Sequence, residues 1–437
     1  MQNSIIEPTT DAARCAIETA LAGGASAARV VADQSETIGC DFEAGRLKAI
    51  SNAQSVDLGV TVIAEGKSGW AGGNDLASLP ELAERATTLA REGSEAHFET
   101  FPAPAAIEEV PMHSAATLAI GREDLIEVGR RYAEAIRDVD EDLFIMAGGR
   151  RRESETLVVT SGGVCESYRQ THWSLSGSVQ KTGDDGDIFM AGAGRSWRDP
   201  AGMFGPDYLI ERTIRDLRRA ETTAESLRGK VTAFLTPGML RTLLTAVTMG
   251  INGRSVARGS SPLAGRLGER IAAEGFSLID DPHTPFANGS CPISDEGVPT
   301  RRMPIIEDGR LKNFLYDLDT AGLAGAQPTG HDDCRPYSLT VTPGRTPSEE
   351  LLADIDDGIY VSYLMGFGQG NLMNGDFSCN VGRGFRIRNG RIVGRLKNTM
   401  IAGNVYDLLG SIRLSSDTER DVRMPYAVVE GVSLSAE

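Results

Sequence analysis

No stretch of this 437-residue chain comes near the ~18 consecutive apolar residues that a membrane-spanning helix requires, so no helical span is expected. Met1 to Gly24 has no basic segment followed by an apolar one, which argues against a secretory signal and predicts a cytoplasmic protein. Positive charge is in deficit. Against 61 Asp and Glu stand 44 Lys and Arg, a net charge of −17. The arginine clusters Arg150–Arg152 and Arg301–Arg302 are short and lie among acids, so nucleic acid is not an expected partner. The six cysteines (Cys15, Cys40, Cys165, Cys291, Cys334, Cys379) form no CxxC pair. Their scatter suits reduced thiols and excludes a zinc finger or ribbon.

What is present is an ordinary globular composition, 41% hydrophobic and 24% charged, on a chain long enough for two or three cores. The first half predicts an α/β domain over residues 1–228. Helix Thr10–Leu21 leads to strands Ala28–Ala32, Thr37–Phe42, Leu47–Ser51 and Val56–Ala64, then helix Leu79–Arg91. After a Pro-rich linker near 101–111 the pattern restarts with helix Arg122–Asp138. Strands Leu143–Arg151, Thr156–Thr160, Cys165–Arg169 and Trp173–Lys181 follow, then helix Asp207–Leu227. Gln34-Ser-Glu-Thr and Glu153-Ser-Glu-Thr occupy matching places, either by internal duplication of a helix–strands–helix unit or by chance.

Residues 229–437 predict a β-rich barrel or sandwich with a few helices, so the fold class is α+β. Asp308-Gly309 and Asn389-Gly390 between apolar runs are hairpin signals. They pair Met303–Ile306 with Leu311–Leu315, and Gly384–Ile387 with Arg391–Val393. Thr236 followed by Pro237 opens a helix that runs to Ile251, with Leu240, Leu243, Leu244, Val247 and Ile251 as a stripe at helical spacing. Periodicity alone makes it a core helix.

The succession after that helix is more specific. Ala257-Arg-Gly-Ser-Ser-Pro leads through Asp280-Asp-Pro-His283, Ser294-Asp-Glu-Gly and Gln327-Pro-Thr-Gly-His331 to Gly366-Phe-Gly-Gln-Gly370, Gly375-Asp-Phe-Ser378 and Ile401-Ala-Gly-Asn404. In order and spacing this resembles the TldD/PmbA family of two-component peptidases over nearly the whole chain. The resemblance implies a pair of subunits. The TldD type carries an HExxxH zinc helix and a cysteine ligand near its C-terminus; the TldE or PmbA type lacks them. Counted back from Arg258-Gly259-Ser260, the motif would fall on Leu244, Thr245 and Met249. Leucine has no lone pair, threonine is too weak a base to activate water, and a thioether is a poor zinc ligand. No cysteine follows Leu408.

The resemblance thus implies a subunit without its own metal or catalytic residues. It would work beside a zinc-bearing TldD-type partner on unfolded peptide, either degrading it or maturing it. Arg258 and Ser260, with Thr329, Gly330, His331 and Arg335, are the candidate substrate contacts. Two alternatives remain at this level: a homo-oligomeric peptide-binding or assembly protein, and a hydrolase with relocated Cys291–His331 chemistry. The adjacent acids Asp280-Asp281 and Asp295-Glu296 read as turn and rim residues, and His283 as a hydrogen-bonded loop residue. Gly366–Gly370 is not a phosphate loop, since no lysine follows it.

Overall fold

The computed structural model describes residues 6–183 and 186–436. The first unit consists of α1 (Ile6–Ala22), β1 (Ala27–Glu43), β2 (Arg46–Ala64), β3 (Lys67–Gly73) and α2 (Leu79–Ala90). The second consists of α3 (Arg122–Arg137), β4 (Phe144–Thr160), β5 (Cys165–Thr182), β6 (Ile188–Trp197) and α4 (Asp207–Arg219). The strands form one antiparallel sheet in the order β3-β2-β1-β4-β5-β6, with Ser94–Glu95 added outside β3.

The strands are longer than the sequence predicts. The polar runs 33–36 and 152–155, read as breaks, are in fact the middles of strands. Those residues are held by cross-strand charge pairs: Arg152 with Asp33 at 2.8 Å and Arg151 with Glu36 at 3.2 Å. Such pairs replace the apolar alternation on which a strand assignment depends.

β1 pairs with β4 from Arg29–Thr160 to Glu43–Met146. Ser35 faces Ser154, Gln34 faces Glu155 and Glu36 faces Glu153, so the two matching Ser-Glu-Thr segments cross at their serines. The strand order thus reads the same outward from either side of the β1–β4 pair. Val30, Ala32 and Cys40 lie on one face of β1; the first two pack in a cluster with α1 and α2, the last in a cluster with α3.

Helix α4 ends at Arg219, short of the predicted Leu227. Thr222 and Ala224 exchange backbone hydrogen bonds with Arg395 instead. The segment 101–111 is not a loose linker, because Phe101 and Val110 are buried and the Pro111 carbonyl accepts from the Phe286 N–H.

The second half begins with β7 (Gly229–Leu235), followed by α5 (Pro237–Leu243) and α6 (Thr245–Gly250). With β8 (Asp357–Met365), β9 (Asp376–Arg388), β10 (Thr399–Asn404) and β11 (Met424–Ala436), β7 closes a five-stranded barrel. Its pairings run β7-β8-β9-β10-β11 and back to β7; β7–β8 is parallel and the other four are antiparallel. Both expected hairpins form. Their turns have positive φ at Asp308 and Gly309, and at Asn389 and Gly390. One apolar cluster crosses between the halves, joining Tyr132, Trp173 and Leu209 to Phe234, Tyr360, Phe385 and Val428 of the barrel.

Gly69 lets β3 lie backbone to backbone on α2, for a Cβ there would sit 2.1 Å from the Ala86 carbonyl oxygen and 2.5 Å from the Ala90 nitrogen. Gly69→Ala is expected to lose about 1–3 kcal/mol of stability by overpacking. Urea denaturation would show it as a lower midpoint; an unchanged midpoint would contradict this packing.

Candidate functional site

The predicted helix is broken in two. Thr236 has extended φ/ψ, Pro237 is the first helical residue, and Leu244, with ψ of −7°, stands between α5 and α6. Hydrogen bonding bridges the break, since Leu244 donates to Leu240 and Thr248 donates to Leu244. All five stripe residues, Leu240, Leu243, Leu244, Val247 and Ile251, are buried in the core of the second half. The core-helix reading is therefore right.

The three counted positions do not converge. Leu244 is wholly buried among hydrocarbon, Thr245 faces outward, and Met249 is 36% exposed. Their chemistry and directions do not fit a zinc ion. Among the described residues, no three His, Cys, Asp or Glu side chains are arranged to hold a metal.

The outward face of the broken helix does line a cleft of about 380 Å³. Gly238, Arg241, Thr242, Thr245 and Thr248 form one side, with Trp197, Asn288, Tyr337, Asp421 and Arg423 among the residues opposite. The latter group comes from four separate segments of the chain. No local motif in the sequence marks it, and the sequence reading missed it.

None of the six expected substrate contacts lines this cleft or the cavities at Trp70 and His283. Arg258 and Ser260 are exposed after the short helix Gly253–Ala257, where the Ser260 hydroxyl donates to the Ser255 carbonyl. Gly330 makes a turn at φ 74°, and Arg335 is exposed. Thr329 and His331 are a correction, because both are buried structural groups. His331 Nε2 meets Asp280 Oδ2 at 2.9 Å, its Nδ1 meets Thr329 Oγ1 at 2.9 Å, and its ring stacks on Tyr337. Asp280 is likewise no rim residue. It is fully buried and also accepts from the backbone N–H groups of Tyr337 and Ser338. This clamp fastens the 329–338 loop to the strand Leu278–Asp280.

The Cys291–His331 dyad is absent from the fold. The Cys291 thiol contacts the Ile293 carbonyl at 3.0 Å and the Tyr168 hydroxyl at 3.9 Å, while both ring nitrogens of His331 are engaged elsewhere. Burial pushes the thiol up to about 12, the opposite of what a cysteine nucleophile needs. His283 is a hydrogen-bonded loop residue as expected, between Glu108 at 2.9 Å and Thr300 at 3.0 Å.

Asp295 and Glu296 are also drawn inward. The Asp295 N–H donates to Asp332, and Glu296 accepts from the Leu318 N–H. Burial raises the Glu296 carboxyl to about 7, although Arg29 opposes the shift. Asp332 is raised by burial and by the charge of Asp295.

Comparison with known proteins follows this geometry. The PmbA/TldA metallopeptidase C-terminal domain family matches residues 228–436, and the PmbA/TldA metallopeptidase domain 1 family matches residues 28–90. The chain is 26% identical to Metalloprotease PmbA of Escherichia coli O157:H7 over 438 residues, covering 94% of this chain and 91% of that one. It is 29% identical to a TldD homolog described as a metalloprotease, from Buchnera aphidicola, over 48% of this chain and 46% of the other. The crystal structure of TldE from Thermococcus kodakarensis superimposes with a TM-score of 0.86 at 22% identity, covering 97% of this chain and 100% of that one.

Two outcomes follow. His331→Ala, which strips the fully buried Asp280 of one of its partners, is expected to lose on the order of 3 kcal/mol in urea denaturation. An unchanged stability would return His331 to the list of ligand contacts. The folded protein holds the Glu296 proton more tightly than the unfolded chain does. Its stabilising contribution is therefore complete below about pH 4.5 and is lost as pH rises through about 7. Glu296→Gln should flatten the fall in urea midpoint between pH 4.5 and 7.5; parallel profiles for the two proteins would refute the burial effect.

Proposed function

The chain belongs to the PmbA/TldD metallopeptidase family and is of the TldE/PmbA type, and we propose from this that it is the non-metal subunit of a two-chain peptidase. Its partner is a TldD-type chain that carries HExxxH and zinc and supplies the hydrolysis. This chain supplies part of the wall around unfolded peptide, contacts to that peptide, and stability to the partner. It performs no proton transfer itself.

The observation that carries the reading is the state of the broken helix. Leu244, the position at which the family resemblance would put the first metal ligand, is wholly buried in the core. Thr245, the counted position of the general base, offers a hydroxyl, which cannot replace a carboxylate. Near full-length likeness to a PmbA protein, against half-length likeness to a TldD homolog, supports the same assignment. The net charge of −17 disfavours nucleic acid as a substrate, and no helix among the described residues is long and apolar enough to cross a membrane.

Co-expression with an HExxxH-bearing family member from the same genome tests this directly. The two chains are expected to co-purify, to contain zinc only when the partner's motif is intact, and to cleave an unstructured peptide. Replacing the partner's glutamate should abolish cleavage, while Cys291→Ala in this chain should leave it unchanged. Stoichiometric zinc together with cleavage by this chain alone would overturn the assignment. Association only with itself would favour a homo-oligomeric binding protein.

A further inference from the structure

Strand β2 is paired on both sides for only part of its length. β3 lies beside it from Leu58–Gly73 to Ala64–Lys67. Over Ala49–Asp57 it has β1 on one side, in unbroken register from Asp41–Ala49 to Asp33–Asp57. On the other side no backbone among the described residues is hydrogen-bonded to it. All nine residues are exposed except the half-buried Val56.

The matching place in the second unit is filled. Trp173, where β6 begins to pair with β5, lies three residues beyond Gln170, the partner of Ser154. Leu58, where β3 begins to pair with β2, likewise lies three beyond Ser55, the partner of Ser35. Just short of Trp173, the Thr171 N–H turns away from β4 and donates to the Met112 carbonyl at 3.0 Å, while the Thr171 hydroxyl accepts from the Ser114 N–H. A non-helical segment of the chain, Met112–Ser114, thus lies along β5 where β2 has nothing. Val56 is the counterpart of Thr171, so its N–H and carbonyl face the open side. By the two-residue repeat of a strand, those of Gln54, Asn52 and Ile50 do the same.

An unpaired edge is a template for another strand, and native proteins guard it with charge, proline or a bulge. The run Ala49-Ile-Ser-Asn-Ala-Gln-Ser-Val56 has no charged residue and no proline, and the bulge of this strand pair lies beyond it, between Asp41 and Phe42. At its Asp57 end the open lane meets a cavity of about 420 Å³. There Trp70 lies across Gly72, where a Cβ would come within 2.7 Å of the ring, and keeps 63% of its surface exposed.

We propose that the open edge of β2 from Ile50 to Val56 binds a segment of extended peptide, which adds to the sheet as a strand in line with β3. That the occupant is a peptide rests on the peptide-handling reading above. That it is held by its backbone rests on the filled counterpart beside Thr171. Main-chain hydrogen bonds supply the affinity of such strand addition, and pockets beside the strand choose among side chains. Here the outward N–H and carbonyl groups of four residues serve any sequence. The Trp70 ring offers an apolar surface to one side chain at the end of the lane. Such a site suits unfolded chains of varied sequence, because it reads what all of them share.

The test uses the whole chain without any partner. A fluorescein-labelled octapeptide amide, Ser-Thr-Val-Thr-Ser-Val-Thr-Lys, is titrated by fluorescence anisotropy beside the same peptide methylated at every backbone nitrogen. The unmodified peptide should bind and should slow hydrogen exchange within residues 49–57, and methylation should weaken binding about tenfold or more, since it removes the donors. Asn52→Pro deletes one outward N–H at an edge position that tolerates proline. It should weaken binding several-fold and leave the melting temperature within a few degrees. Equal binding of the two peptides overturns the proposal, as does no binding of either up to millimolar concentration, or binding that Asn52→Pro does not alter. A large fall in melting temperature would mean that the Asn52 N–H is bonded within the fold, and would also overturn it. A dimer that Asn52→Pro dissolves, with no peptide bound, would give the edge to a second copy of the chain instead. None of these outcomes involves the zinc-bearing chain, so failure here leaves the two-chain assembly intact and is distinguishable from a failure of that assembly.

Discussion

The antiparallel pairing of β1 with β4 is the constraint on which the rest of the first half depends. Fifteen consecutive residue pairs from Arg29 to Glu43 join two three-stranded units that would otherwise each expose an edge. The register is fixed at both ends by burial. Val30 and Ala32 must face one cluster and Cys40 the other, so a slip of one residue would turn all three toward solvent. In the middle, where burial is incomplete, ion pairs across the strands hold the alignment. The joined sheet then offers the Tyr132–Trp173 cluster a surface wide enough to merge with the barrel core.

Within the second half, the buried stripe that makes the broken helix a core element also decides which of its faces is left open. A helix with five stripe residues buried can present only its opposite face, and that face has threonines and one arginine. The cleft it borders is closed by Trp197 from the first half and by Asn288 and Asp421 from the second, so it exists only because the two halves share a core.

Much of the fold was legible from residue patterns. The helices at Leu79, Arg122 and Asp207 begin where the sequence places them, and the Asp-Gly and Asn-Gly turns form hairpins because both residues tolerate positive φ. Strand ends were less legible, since charged residues such as Asp33 and Arg152 look like loop until a partner strand is beside them. The candidate site was legible only as a negative. Thr329 and His331 looked like channel residues because a polar, glycine-bearing loop between strands usually faces water; here Asp280 draws the histidine inside.

The sequence by itself determined the family, the α+β class, the position of the helix and the lack of any imidazole or carboxylate at Leu244, Thr245 and Met249. These depend on residue identity and local spacing, which a linear pattern records. Only the tertiary structure decided that His331 is a clamp, that the Cys291 thiol is buried against the Ile293 carbonyl, and that Trp197, Asn288 and Asp421 line one cleft. These depend on which distant segments share a dry environment, because burial determines whether a polar atom is paired, orphaned or shifted in its proton affinity.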